Sequence, residues 1–234
     1  MLDARRLRLS AEWALRELVD PSDIIAALVR LLRSSLPDTD DAIFAQHHIA
    51  SLTVEKEPWK AALAARKLIA LRPDDHRVYA LMGQAMAYLK HYRAASLAYR
   101  KAVSLAPENP WYAHNLGHIL DVALGLPAEG LALLETAHMA EPFDTEIATS
   151  YAHALGRVGR TEEAVMMLRR LVRYGVSNEH RKLLVWLDNT SPANQPDTLR
   201  RGIGSAETLN SPINQDNRRK RPHARSSRES TRPL

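Results

Sequence analysis

The chain contains no cysteine. That excludes disulfide staples, thiolate metal sites and cysteine nucleophiles. Glycine is scarce, at 9 of 234 residues. There is no phosphate-cradling glycine loop and no GxSxG elbow, so the usual active-site loops have nowhere to sit. Aromatics make up only 6%, while Ala, Leu and Arg are abundant. That mix favours helix over strand. No uncharged apolar run approaches the roughly 20 residues that span a bilayer. The most apolar stretch, residues 24–32, is interrupted by Arg30. The opening MLDARRLRLSAEW carries arginines with no uncharged apolar segment behind them, unlike a secretory signal. These features lead us to expect a soluble, cytoplasmic, non-enzymatic protein with no cofactor and no metal.

What is present is unevenly placed. Residues 1–188 hold 23 Lys+Arg and 23 Asp+Glu, whereas residues 189–234 hold nine and four. The whole excess of +5 therefore belongs to the tail. This is a neutral body with a basic appendage. At 45% hydrophobic, the body has enough apolar side chains for a sizeable core.

The body repeats itself. Gly83 to Gly117 is 34 residues, Pro73 to Pro107 is 34, and Pro107 to Pro142 is 35. LIALRPDD, AVSLAPEN and AHMAEPFD read as copies of one helix end followed by a turn. A period near 34 fits a helix–turn–helix unit that buries its apolar face only against its neighbours. Small residues recur where two helices must approach, as at Gly83 and Ala95, with Gly117 and Ala152 taking Gly83's part later. The prolines end or redirect the second helix.

With Tyr79, Met82, Gly83, Met86, Ala95, Tyr99, Ala102 and Pro107 in order, the unit from His76 resembles the tetratricopeptide repeat (TPR). The unit from Pro110 matches with Ala113, Leu116, Gly117 and Leu120, then Gly130, Leu134, Ala137 and Pro142 after one extra residue near Pro127. The unit from Thr145 matches with Ala148, Tyr151, Ala152, Leu155, Ala164, Leu168 and Leu171 but lacks a closing proline. A degenerate first unit offers Ala61, Ala65, Leu68 and Pro73, with His48 and Ile49 where apolar and small residues are expected.

The resemblance implies an all-α, right-handed superhelical stack of helix–turn–helix repeats. We expect N-terminal helices over 1–41 and repeats over 42–177, divided as 42–75, 76–109, 110–144 and 145–177. A capping helix over 178–189 places Leu184 and Trp186 inward. A disordered basic tail occupies 190–234, where prolines are frequent and aromatics absent.

The resemblance also implies a concave groove for a partner peptide or helix, the mode of an adaptor, assembly factor or chaperone. Its groove positions map onto Arg77, Gln84 and Tyr88, then Trp111, His114, Asn115, His118 and Asp121, then His153 and Arg157, with Gln46 and His47 ahead of them. Asn115 stands where the family often bonds a peptide backbone, and is otherwise a solvated helix residue. Arg77 stands where carboxylate-clamping members carry Lys, but Leu81 and Ser150 replace the other donors of that clamp. Trp111 is either a groove anchor or a helix-start residue packed on the previous unit. Three imidazoles, His114, His118 and His153, share one side. With no HExxH and no cysteine, exposed surface histidines outweigh a metal site.

A second reading makes the repeats a scaffold for the tail, where Arg218, Arg219, Lys220 and Arg221 head a basic run. Such a run binds nucleic acid or an anionic membrane through phosphates, since no aromatics interleave it. The layout of N-terminal helices followed by about three repeats is also similar to that of bacterial secretion chaperones.

Overall fold

A computed structural model describes residues 4–17, 20–172 and 178–190, all within the unit Met1–Asn194. The described residues form helices and turns with no strand. The order is α1 (Ala4–Glu17), α2 (Pro21–Ser34), α3 (Asp40–Thr53), α4 (Pro58–Leu71), α5 (His76–Tyr88), α6 (Tyr92–Leu105), α7 (Pro110–His118), α8 (Pro127–Ala140), α9 (Thr145–Arg157), α10 (Thr161–Val172) and α11 (Asn178–Thr190). A short π-helical stretch, Ile119–Ala123, continues α7.

The repeat is written into the helix starts. Asp75, Asn109 and Asp144 stand before α5, α7 and α9 and accept backbone N–H bonds from Arg77 (3.0 Å), Trp111 (3.0 Å) and Glu146 (3.0 Å). Each satisfies a donor the helix itself cannot, a cap that contributes about 1 kcal/mol. Asp20 and Thr39 serve α2 and α3 the same way. The turns into these caps are also copies. Arg72, Ala106 and Glu141 close α4, α6 and α8 by bonding back four residues, and their carbonyls then accept from Asp75, Asn109 and Asp144, each at 3.2 Å. Pro73, Pro107 and Pro142 follow and prevent the helix from continuing.

In the last three units, the first helix ends on a residue with positive φ: Lys90 (61°), Gly125 (69°) and Gly159 (85°). Around it, His91 N–H bonds Met86 O at 2.8 Å and Arg160 N–H bonds Leu155 O at 2.9 Å. These are six-to-one closures of the Schellman type. In the third unit the corresponding bond runs from Leu126 N–H to Leu120 O, one residue longer, and Leu124 N–H bonds Ile119 O across five residues. The extra residue expected as a loosened turn near Pro127 is therefore absorbed upstream, as a π-helical bulge over Ile119–Ala123. A π-turn holds one residue more without opening the ladder.

The core is a chain of local clusters, as a quasi-linear stack requires. Ala11, Ile24, Leu28, Leu31 and Ala45 join α1 and α2 to α3. Ala50, Ala61, Ala65, Leu68, Val78 and Leu81 join α3, α4 and α5. Tyr99, Leu116 and Leu120 join α6 to α7. Leu134, Leu155, Leu168 and Leu187 join α8 through α11. The small positions work by close approach. A methyl on Gly83 would lie 2.6 Å from the Tyr99 ring, so the ring needs that space. A methyl on Gly117 would meet Leu134 at 2.7 Å and the Gly130 carbonyl at 2.9 Å. At α11 a third residue, Leu187, joins the expected inward pair. Leu187 is fully buried, Leu184 packs at the cluster's edge, and Trp186 is 36% exposed.

Candidate functional site: the inner helix layer

Most side-chain bonds between units run from first helix to first helix, while Arg100 of α6 reaches Glu129 of α8 and Tyr151 of α9 reaches Glu135 of α8. His76 Nδ1 lies 2.8 Å from the Tyr112 hydroxyl, joining α5 to α7. Ser150 on α9 places one hydroxyl 3.0 Å from His114 Nε2 and 3.3 Å from His118 Nδ1. Helices α3, α5, α7 and α9 thus form one inner layer. All twelve groove residues expected from the sequence lie on these helices or on the π-turn that extends α7.

The layer is partly open and partly tied. Tyr88 is 46% exposed and Trp111 39% exposed. Gln84 is half-buried and His118 keeps an exposed edge. Asp121 and His114 are not open to the groove, at 1% and 3% exposure. The π-turn directs Asp121 into the seam with α9. There its Oδ2 lies 2.7 Å from His153 Nδ1, its Oδ1 lies 3.4 Å from Arg157 Nε, and its carbonyl accepts an Arg157 N–H at 3.0 Å. A buried carboxylate demands such compensation. Asn115 is also engaged. Its Oδ1 lies 3.3 Å from His114 Nδ1, and its side chain bonds the Tyr99 phenol, whose pKa burial raises.

Arg77 belongs to a separate cluster nearer the N-terminus. It grips Asp75 with two bonds, at 2.9 and 2.6 Å, and holds that carboxyl below its ordinary range. With Arg8, Phe44, His47 and His48 it lines a cavity of about 430 Å³. Burial lowers the pKa of His47 and takes that of His48 down to about 4. Gln46, the neighbouring residue on α3, lines a different cavity, on the side facing α4.

The three imidazoles weighed as metal ligands do not converge. His114 and His118 share Ser150, while His153 pairs with Asp121 and stacks on Trp186 with ring centres 5.4 Å apart. Among the described residues, no group of three or more His, Asp or Glu is arranged to hold a metal ion. Burial lowers the pKa of His114, and burial followed by the neighbouring His114 lowers that of His118. Both favour the neutral ring.

Ser150, Asp75 and Trp186 are the members that reading the sequence for groove positions missed. Ser150 was visible only as the absence of a clamp donor. Asp75 carried a signal as the aspartate preceding a repeat start. The basic residues Arg218, Arg219, Lys220 and Arg221 lie outside the described residues. Among the described residues, no helix is long and apolar enough to cross a membrane.

No known protein-family profile matches the chain, and no curated protein does. Solved structures do. A thermophilic TPR protein of Thermus thermophilus is similar at TM-score 0.60 and 16% identity, covering 80% of this chain and 98% of its own. MamA (residues 41 to end) of Desulfovibrio magneticus RS-1 is similar at 0.60 and 17%, covering 74% and 97%. MamA AMB-1 is similar at 0.55 and 20%, covering 75% and 94%. Identities this low speak for the fold alone. Together with the recurring caps, turns and close-packed small residues, they show that this chain has the TPR-like fold, an all-α stack of helix–turn–helix repeats.

Proposed function

We propose that the protein is a non-enzymatic interaction module that holds a peptide or helix of a partner protein against its inner helix layer. Its role is that of an adaptor, assembly factor or chaperone. One observation carries this reading: on a layer whose buried polar groups are already tied to one another, Tyr88 and Trp111 remain substantially exposed. Exposed aromatics on a rigid platform are the groups that most often dominate interface energies. Gln84 and the open edge of His118 add polar contacts between them along α5 and α7. Asp121, His153 and Arg157 act as the seam that fixes the platform and not as direct contacts. Asn115, tied to Tyr99 and His114, supports the platform from beneath.

The test is capture of a partner from source lysate by wild-type protein and by a Tyr88→Ala/Trp111→Ala variant, at low and high salt. The reading expects one protein partner, retained at high salt and lost in a variant that melts like wild type. Equal capture by the two proteins would overturn it.

A further inference from the structure

The outer helices carry two patches of opposite character. Residues 127–146, covering α8 and the turn after it, hold five carboxylates (Glu129, Glu135, Glu141, Asp144 and Glu146) and no Lys or Arg. Along this stretch Met139 is 77% exposed and Phe143 75%. Glu129, Ala132, Glu135, Thr136 and Met139 form one exposed face at helical spacing, an acidic stripe with an apolar end, in which Glu129 pairs with Arg100 (3.2 Å) and Glu135 accepts from the Tyr151 hydroxyl (3.3 Å). Two repeats earlier, residues 54–72 hold five cations (Lys56, Lys60, Arg66, Lys67 and Arg72) against Glu55 and Glu57. Here α2, α3 and α4 enclose a groove of about 770 Å³. Leu32, Ile49 and Leu63 contribute apolar lining, with Leu63 54% exposed, and Lys60, Arg66 and Lys67 stand along it. Lys60 pairs with Glu57 and Lys67 with Asp38 (3.4 Å), while Arg66 makes no ion pair among the described residues.

A groove with an apolar floor and a cationic rim fits an apolar ridge with carboxylates beside it, and this chain presents such a ridge on α8. We propose that the occupant of the α2–α3–α4 groove is the α8 edge of a second copy of this chain, docked head to tail. The apolar contact and the opposite charges together supply the affinity, and the charges fix partner and register. The proposal goes beyond the inner-layer reading, because α4 and α8 are second helices of their units and the occupant leaves α5, α7 and α9 free, touching the inner layer only on the side of α3 that faces α4. The groove and the ridge are different patches of one chain. The contact is therefore heterologous, and it propagates instead of closing as a two-fold dimer.

The experiment uses full-length protein in sedimentation velocity over a concentration series, at low and high salt. Wild type is expected to grow past the dimer with concentration and to return toward monomer at high salt. Arg66→Gln/Lys67→Gln disables the groove, and Glu135→Gln/Glu141→Gln disables the ridge. Each variant alone is expected to associate at least tenfold more weakly. Their mixture still pairs one intact groove with one intact ridge, so it is expected to stop at a one-to-one dimer. All four residues are exposed or half-buried surface groups, and unchanged melting of each variant confirms its fold. A wild type that stays monomeric at low salt would overturn the proposal, as would variants that associate like wild type or a mixture that does not pair.

Discussion

The Oδ2 of Asp121 lies 2.7 Å from Nδ1 of His153, a residue 32 positions later and in the next repeat. The contact exists because one extra residue, taken up as a π-turn, directs Asp121 into the seam instead of toward the groove. Asp121 also receives Arg157 on its carboxylate and on its carbonyl. Removing the carboxylate leaves two basic side chains facing an emptied, buried position. Asp121→Ala is expected to cost about 3 kcal/mol, in the range for breaking a buried pair from one side. Urea unfolding reads this as a lower midpoint. In an Arg157→Met background the same change should cost less, because one uncompensated partner is already gone.

Acid should weaken the stack through its histidines. Burial lowers His47, His48, His114, His118 and His138 from the ordinary value of 6.5, His48 to about 4. Above that ordinary value neither the folded nor the unfolded chain takes up these protons, and their full contribution to stability is present. Below it the unfolded chain binds protons first, so stability falls with pH until the folded groups titrate in turn. Asp75, held low by Arg77, begins to cost stability only below the ordinary 3.8. The melting temperature should be level above pH 7 and decline from about pH 6.5 toward 4. A His114→Gln/His118→Gln variant should show a shallower decline. A profile with no slope in that window would mean that these rings are not held neutral by burial.

The turn inside each unit offers a matched pair. Lys90 adopts the left-handed conformation that Gly125 and Gly159 adopt in the later units. A side chain there costs roughly 1 kcal/mol, and glycine does not incur it. Lys90→Gly is expected to stabilise the protein by about that amount. Gly159→Ala is expected to destabilise it similarly, since nothing lies within 4 Å of the added methyl and only backbone strain remains. Equilibrium denaturation of both variants checks the opposite signs.

Gly117 tests close approach in place of conformation. A methyl there would stand 2.9 Å from the Gly130 carbonyl, and a backbone carbonyl does not swing aside as a side chain does. Gly117→Ala should separate α7 from α8 at a cost of about 2 kcal/mol, in the range of overpacked cores. A loss indistinguishable from zero would mean the helices slide freely past that point.

The repeat was legible in the sequence because its signals are local. Asp75, Asn109 and Asp144 cap, Pro73, Pro107 and Pro142 terminate, and Gly83 and Gly117 admit a neighbour. Each does so by its own covalent geometry, wherever it sits. The groove was legible only as a list of positions. Whether such a position faces the groove or the seam depends on rotation about the helix, and a single inserted residue changes that rotation. The inserted residue was countable, but the bonding that absorbs it was not. Asp121 therefore went to the wrong side. Ser150 was overlooked because its role comes from two histidines more than 30 residues away in sequence. Leu187 was overlooked for a related reason: a helix's rotation is set by what it packs on, and here Leu187 joins Trp186 against Gly156 while Trp186 stacks on His153.

Recognition on the inner layer can be read out by position. A photo-crosslinking amino acid is placed at Tyr88 and, in a second protein, at Leu97 on α6, which is 69% exposed. After irradiation in source lysate, a partner held on the inner layer is expected to crosslink from the Tyr88 position, to be absent from the Leu97 position and to be suppressed by Trp111→Ala. A partner crosslinked from Leu97 and not from Tyr88 would place recognition on the outer helices and refute binding at the inner layer.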